Sequence, residues 1–380
     1  MRLRRRPFIL SITLVGLTAI LPAVPEETPL RVVVFTPTTQ DNTYWPQVYE
    51  IMEAAADDLG VELLFHGFDV RDRYAKADLG TKILQSVGRI DGAIFSVAFG
   101  QTLPLLQATE SLRIPVIVQG PLFESELPAL GYRPRRTFAS WVGLFSQDEH
   151  EKGRELGRVL IDAALRTGLT STAGTVPVAG VGGDPSWFGS QVREAGLVAA
   201  VQAHPEAVLF QVVPTLWAES DGYEMGRALL ARYPDTTVIW AASDQLAIGA
   251  ARGAREAGLV VGEDLVIGGL DLSRAGLEHV RDGRLTATTA SLLFGYARVL
   301  VYLTDYVRGV DFADETGTEF VLPVWTATAE NAGEFLQLYR AHDEIDYRLL
   351  SRALNPELES YDFSPARLRA VSTPGGAGQP

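Results

Sequence analysis

A chain of 380 residues, 47% hydrophobic and 21% charged, is long enough for two packed cores and too apolar to remain disordered. Its formal net charge of -14 and isoelectric point near 4.9 make nucleic acid a poor partner, because the surface repels phosphate backbones. The lack of cysteine excludes disulfides, zinc–thiolate clusters, thiol nucleophiles and a lipidated N-terminal cysteine in one step.

The chain opens with Arg2, Arg4, Arg5 and Arg6, continues in an apolar run over 8–21, and leaves it through Pro22-Ala23 and the acidic Glu26-Glu27. That order of charge, apolar stretch and small-residue exit is a secretory signal peptide, so residues 1–28 are set apart from the fold and the periplasm is the expected location. Cleavage fits after Ala23. An uncleaved membrane anchor is the competing reading, and the run is short for a bilayer.

From Leu30 onward, short β-branched runs alternate with segments of helical period. Strands are expected at 31–35, 61–65, 92–97 and 115–118, with a helix over 45–59 whose Val48, Ile51, Met52, Ala55 and Leu59 share one face. A second helical stretch carries Leu79, Ile83, Leu84 and Val87. The pattern then restarts. Strands are expected at 175–181, 208–213, 238–241 and 265–270, separated by helices at 187–203, 219–233, 244–257 and 273–283. One more strand at 285–290 leads to a long apolar helix, and a last strand is expected at 319–325. Strands apolar at successive positions are buried on both faces, and their alternation with helices predicts parallel, doubly wound sheets. The fold class is therefore α/β, with two Rossmann-like lobes.

The expected division is 29–147 with 292–319 for the N-terminal lobe and 148–291 with 320–350 for the C-terminal lobe. Chain crossings then fall near Gln147, Ser291 and Phe320, so the lobes can hinge but not shear. Residues 351–380 form a C-terminal extension, Pro/Gly-rich and frayed from about Thr373.

Catalytic constellations are missing. The histidines His66, His150, His204, His279 and His342 are scattered, with no pair four apart to hold zinc on a helix. There is no Gly-x-Ser-x-Gly elbow and no Walker lysine. The segment Gly180-Val181-Gly182-Gly183-Asp184 follows a strand and reads either as a phosphate cradle or as a tight turn. No enzyme activity, metal or cofactor is expected. A repressor would need a helix-turn-helix where the leader stands.

In open parallel sheets, ligands bind beyond the carboxyl ends of the strands. There the sequence resembles the type I periplasmic solute-binding proteins, the ribose-binding and LacI-like group, from about Leu30 to Trp325. The resemblance is carried by Thr38-Thr39-Gln40-Asp41-Asn42-Thr43-Tyr44-Trp45 after the first strand and Ile114-Pro115-Val116-Ile117-Val118 in the fourth. In the second half it is carried by Trp240-Ala241-Ala242-Ser243-Asp244-Gln245-Leu246-Ala247-Ile248-Gly249-Ala250, Gly268-Gly269-Leu270-Asp271 and Asp282-Gly283-Arg284-Leu285-Thr286-Ala287-Thr288.

That resemblance implies a small polar, sugar-like ligand captured between the lobes and delivered to an ABC transporter permease. It implies ligand contacts from Asn42, Tyr44 and Trp45, whose rings and amide suit the C–H face and hydroxyls of a sugar. Trp217 stands where another stacking ring is expected, Ser243 replaces a usual Asn, and Asp271 matches the acceptor of ligand hydroxyls. For Tyr44 and Trp45 the plain alternative is core packing at a helix start; for Asp271 it is an N-cap, and Asp244 is left as a cap.

Departures from the family pattern are Gly120-Pro121, preceded by Gln119, in place of Asp-Arg, Gln191 near Trp187 in place of Arg, and Ser291 in place of Gln. They suggest a cleft more aromatic and less charged than a pentose site, walled by Trp45, Trp187 and Trp217. Tyr44-Trp45, the segment over 142–150 with Arg154-Glu155-Leu156, and the extension are also similar to autoinducer-2 receptors, which work with a membrane sensor kinase. An aromatic cage for a methylated amine fits as well. A monomer is expected in solution.

Overall fold

The computed structural model describes residues 28–38, 43–69, 75–97, 100–185 and 187–372; the expected leader, Asn42 and the expected frayed end lie outside the described residues. Strands β1 (Leu30–Thr38), β2 (Val61–Asp69), β3 (Gly92–Ser96), β4 (Val116–Gln119) and β5 (Trp141–Gln147) alternate with helices α1 (Tyr44–Leu59), α2 (Ala75–Ser86), α3 (Thr102–Leu112) and α4 (Leu127–Leu130). The alternation repeats through α5 (Glu149–Thr167), β6 (Val176–Val181), α6 (Phe188–Ala203), β7 (Ala207–Val213), α7 (Glu219–Arg232), β8 (Val238–Ala241), α8 (Asp244–Glu256), β9 (Val266–Leu270), α9 (Arg274–Arg281) and β10 (Ala287–Ser291). The chain continues through α10 (Phe294–Val307), α11 (Ala313–Thr316), β11 (Glu319–Leu322), β12 (Val324–Ala327), α12 (Ala332–Arg340) and α13 (Pro365–Ala370).

These strands form two six-stranded sheets, in the orders β11-β5-β4-β3-β1-β2 and β12-β10-β9-β8-β6-β7. Every pairing is parallel except β10 with β12. Helices cover both faces, which is why Val32, Val33, Val34 and Phe35 are all buried in succession on β1. On α1 the same residues that share a helical face in the sequence are fully buried, and Gly60 ends the helix in the left-handed conformation.

The expected last strand divides. Pro323 has no amide hydrogen to offer a ladder, and pairing changes partner at that residue. Residues 319–322 join the first sheet beside β5, whereas 324–327 join the second beside β10. The expected boundary at 319/320 therefore moves to Pro323, and so does the third crossing. The other two changes of sheet lie between β5 and α5 and between β10 and α10. The segment over 141–147, met in the sequence only as part of a resemblance, is the strand β5, with Trp141, Val142 and Phe145 fully buried.

The extension is built into the fold as far as Ser372. Asp305 on α10 is a buried carboxylate whose hydrogen-bond donors are Ser351 Oγ, the Arg352 backbone N–H at 2.7 Å and Tyr361 Oη at 2.7 Å. The Tyr347 N–H donates to Asp58 on α1 at 2.8 Å, and the Asp346 N–H to the Val371 carbonyl at 3.0 Å. Among the described residues no helix is long and apolar enough to cross a membrane.

Candidate ligand-binding site

The carboxyl ends of the two sheets carry different chemistries. At the first, Tyr44 and Trp45 form the opening turn of α1 and meet edge to face with ring centroids 5.4 Å apart. Both rings stand against Tyr296, which lies just past the second crossing, at 6.5 and 5.7 Å. Gln119 ends β4 and Gln147 ends β5; their amides donate to the Tyr296 hydroxyl at 2.8 and 3.2 Å, and the Tyr44 hydroxyl approaches it at 3.4 Å. Burial pushes the Tyr296 hydroxyl up to about 12. These rings and amides are all neutral at physiological pH.

At the second sheet the groups are charged. Glu149 and Lys152 occupy the first turn of α5, after the N-cap Asp148, and both are buried. Lys152 Nζ pairs with Glu149 Oε1 at 3.1 Å and also donates to the Gln147 amide oxygen. The second Glu149 oxygen receives Arg193 Nε at 2.5 Å, and Arg193 Nη1 donates to the Ala242 carbonyl at 2.7 Å. The guanidinium lies 5.0 Å from the Trp187 ring and 5.8 Å from the Trp217 ring, which meet edge to face. Burial pushes the Glu149 carboxyl up, but Arg193 and Lys152 outweigh it and hold it below the usual carboxylate range.

Asp271 follows β9 with φ of 130°, and Leu272 and Trp217 also have positive φ, at 49° and 75°. Non-glycine residues held in that region at strand ends concentrate strain at the cleft. The Asp271 carboxylate lies 3.8 Å from Arg193 Nη1 and accepts no hydrogen bond from any described residue. Burial pushes it up to about 7, with Arg193 opposing and Asp244 adding to the rise.

Tyr44, Trp45 and Gln119 gather around Tyr296, and Trp187 and Trp217 gather around Arg193 with Asp271 alongside. The N-cap of α9 is Ser273, so Asp271 is not needed for that role. Asp244 does not cap its helix either; it accepts Ser273 N–H, Ser273 Oγ and Thr288 Oγ1 at 2.8, 2.7 and 2.6 Å.

Three expected contacts have other partners. Ser243 caps α8 through the Leu246 N–H at 3.3 Å, because a short hydroxyl at a helix start reaches its own backbone first. Ser291 donates to the Leu322 carbonyl at 3.2 Å and so joins two crossings. The Gln191 amide donates to the Pro185 carbonyl at 2.8 Å. In the glycine segment before Asp184, a Cβ on Gly183 would fall 2.0 Å from the Trp217 ring, so the bare backbone is the seat of that ring.

Sequence reading missed Tyr296, Glu149, Lys152 and Arg193. A signal existed for the last. Arg193 falls on the buried stripe of α6 with Gly189, Ser190, Gly196 and Leu197, and a charge on such a stripe needs a partner.

The two sheet ends are closed upon each other. The Gln47 amide oxygen on α1 accepts the Arg274 N–H at 2.9 Å, Glu50 pairs with Arg274 at 2.8 Å, and Phe123 packs on Phe188 at 5.4 Å.

Two α/β lobes of this kind, each built on a largely parallel six-stranded sheet, have the fold of the type I periplasmic binding proteins. The chain belongs to that family, since the profile described as "periplasmic binding protein domain" matches residues 33–309. It is 34% identical over 100 residues to the ribose import binding protein RbsB of Salmonella typhimurium, a stretch covering 26% of this chain and 32% of that relative. A periplasmic sugar-binding protein from Pseudomonas fluorescens superposes with a TM-score of 0.78 at 25% identity, over 89% of this chain and 99% of that one. The fold is shared with a solute-binding protein from Actinobacillus succinogenes with bound D-allose, at TM-score 0.66 and 18% identity, over 80% and 99% of the two chains. These relatives are binding proteins and not enzymes.

Proposed function

We propose that this protein is exported to the periplasm, captures an uncharged polyhydroxylated ligand of sugar type between its lobes, and hands it to the permease of an ABC transporter. The observation that carries the ligand class is Asp271, a cleft-edge carboxylate with no hydrogen-bond donor among the described residues. Vicinal hydroxyls satisfy such an acceptor, and charge-assisted bonds of this kind are about twice as strong as neutral ones. Stacking surface comes from Trp45 and Tyr44 on one side and Trp217 on the other.

A methylated amine is disfavoured, because the place between Trp187 and Trp217 is held by the protein's own cation, Arg193. An anion finds Arg193 already engaged by Glu149 and the Ala242 carbonyl. Delivery to a permease is preferred over signalling to a sensor kinase, because the curated relatives are import proteins. Hinge closure about the three crossings brings the walls together, and ligand shifts the equilibrium only by its greater affinity for the closed form.

A thermal-shift screen with pentoses, hexoses, polyols, vicinal diols, uronic acids and methylamines tests the reading. Stabilisation by a neutral sugar or polyol is expected. Stabilisation confined to a methylamine or a diol outside the sugar class rejects it.

A further inference from the structure

A run of polar contacts through the first crossing joins the two walls. Gln119 donates to Tyr296, and Gln147 donates to the same hydroxyl from the last residue of β5. Across the first crossing, Lys152 Nζ donates to Gln147 and pairs with Glu149 at 3.1 Å; Glu149 holds Arg193 at 2.5 Å, and Arg193 stands 3.8 Å from Asp271. Lys152 is the middle link and is 1% exposed.

Stability does not explain a lysine there. Burying an ammonium is costly even when it is paired, and an apolar side chain of similar volume often serves a core as well or better. What an apolar residue cannot do is grip an amide on one lobe and a carboxylate on the other. It also cannot lend positive charge to the ligand wall.

We propose that Lys152 is a positioning residue for the ligand: by holding Gln147 on one side of the first crossing and Glu149 on the other, it sets Arg193 and Asp271 in register with the Tyr296 cluster. The proposal deepens, and rests on, the reading of the cleft as a sugar site. The groups that act on Asp271 are Arg193 from α6, Asp244 from α8, and Glu149 and Lys152 from α5, with Tyr44 and Tyr339 also within its electrostatic reach. Arg193 and Lys152 favour its ionised form, whereas Asp244 and Glu149 oppose it. Lys152→Met and Glu149→Gln should therefore move its titration in opposite directions, which loss of packing alone would not do.

The experiment measures affinity for the sugar found in the screen, on the full chain and on Lys152→Met, Glu149→Gln and Lys152→Arg, between about pH 5 and 9. The tryptophan fluorescence of each ligand-free protein is followed over the same range. Affinity in the unaltered protein should rise with pH as Asp271 ionises. Lys152→Met should bind at least about tenfold more weakly near neutral pH. Its midpoint should lie above that of the unaltered protein, with Glu149→Gln below it and Lys152→Arg restored to it. Should Lys152→Met fail to fold, Glu149→Gln and Lys152→Arg carry the same comparison. Equal affinities and equal midpoints, or shifts in one direction for both charge-removing variants, overturn the proposal. If no sugar binds the unaltered protein, the sugar reading fails, and the fluorescence midpoints beside Trp187 and Trp217 still decide the coupling: the same order upholds it and no order overturns it.

Discussion

Among the described residues, the end of the first sheet gathers rings and amides that satisfy one another around Tyr296. By contrast, the wall at the second sheet is made of ions, of which Glu149, Lys152 and Arg193 are closely paired, while Asp271 stands 3.8 Å from Arg193 and accepts no hydrogen bond among the described residues. The two lobes therefore bring unlike chemistry to the site. The described rings and amides around Tyr296 already satisfy one another, whereas the Asp271 carboxylate, 3.8 Å from Arg193 and without a hydrogen-bond donor among the described residues, would gain a strong partner from the proposed ligand. The proposed function thus assigns orientation of the ligand to the second lobe and closure over it to the first.

The largest effect that would break this contrast is expected from Asp271→Asn. Replacing the charged acceptor should cost roughly 2–3 kcal/mol of binding, or about 30- to 150-fold in Kd by calorimetry. Unchanged affinity would mean that the second wall does not hold the ligand. Next comes Gly183→Ala, whose Cβ would lie 2.0 Å from the Trp217 ring. Overpacking of this kind costs about 1–3 kcal/mol, and here it should appear as displaced tryptophan emission with weakened binding. Tyr296→Phe should lower the stability of the ligand-free protein by about 1–3 kcal/mol in urea melts, because two amides lose their shared acceptor.

The pH dependence of stability sharpens the same comparison. Burial pushes Asp271 up to about 7 and Asp244 up to about 6, so both hold protons in the folded state that the unfolded chain releases near its ordinary carboxylate range. The unfolded state then binds fewer protons between those limits, and the contribution of these two groups to stability must fall as pH rises from about 4 to 7. Saturating ligand should flatten that fall, measured as melting temperature against pH. The smallest effect belongs to Glu50→Ala, which removes a partly exposed ion pair with Arg274 across the lobes. It should change Kd by no more than a few-fold, since such pairs contribute about 0–1 kcal/mol.

Much of the architecture was legible because it depends on local pattern. Continuous runs such as 31–35 and 238–241 read as doubly covered strands, and the stripe of Val48, Ile51, Met52, Ala55 and Leu59 read as a helix face. Trp217 and Asp271 were legible as strand-end residues, and the structure sets each beside Arg193. The division of 319–325 was not, since a proline exposed between two short strands does not announce which sheet each half will join. Ser243 and Ser291 looked like ligand groups because their positions matched. Their hydroxyls are short enough to be taken by nearby backbone instead.

Composition, period and strand-end position, read from the chain alone, determined the α/β class, two lobes and a cleft between sheet ends. They act over a few residues, where β-branching, helical spacing and turn chemistry decide the outcome. Only the tertiary structure decided which charges meet. Lys152 and Arg193 reach Glu149 from three and forty-four residues away, and Tyr296 gathers Gln119 and Gln147 from 177 and 149 residues away. Such pairings follow from how two sheets close on each other, because the field of a buried charge is felt across space and not along the sequence.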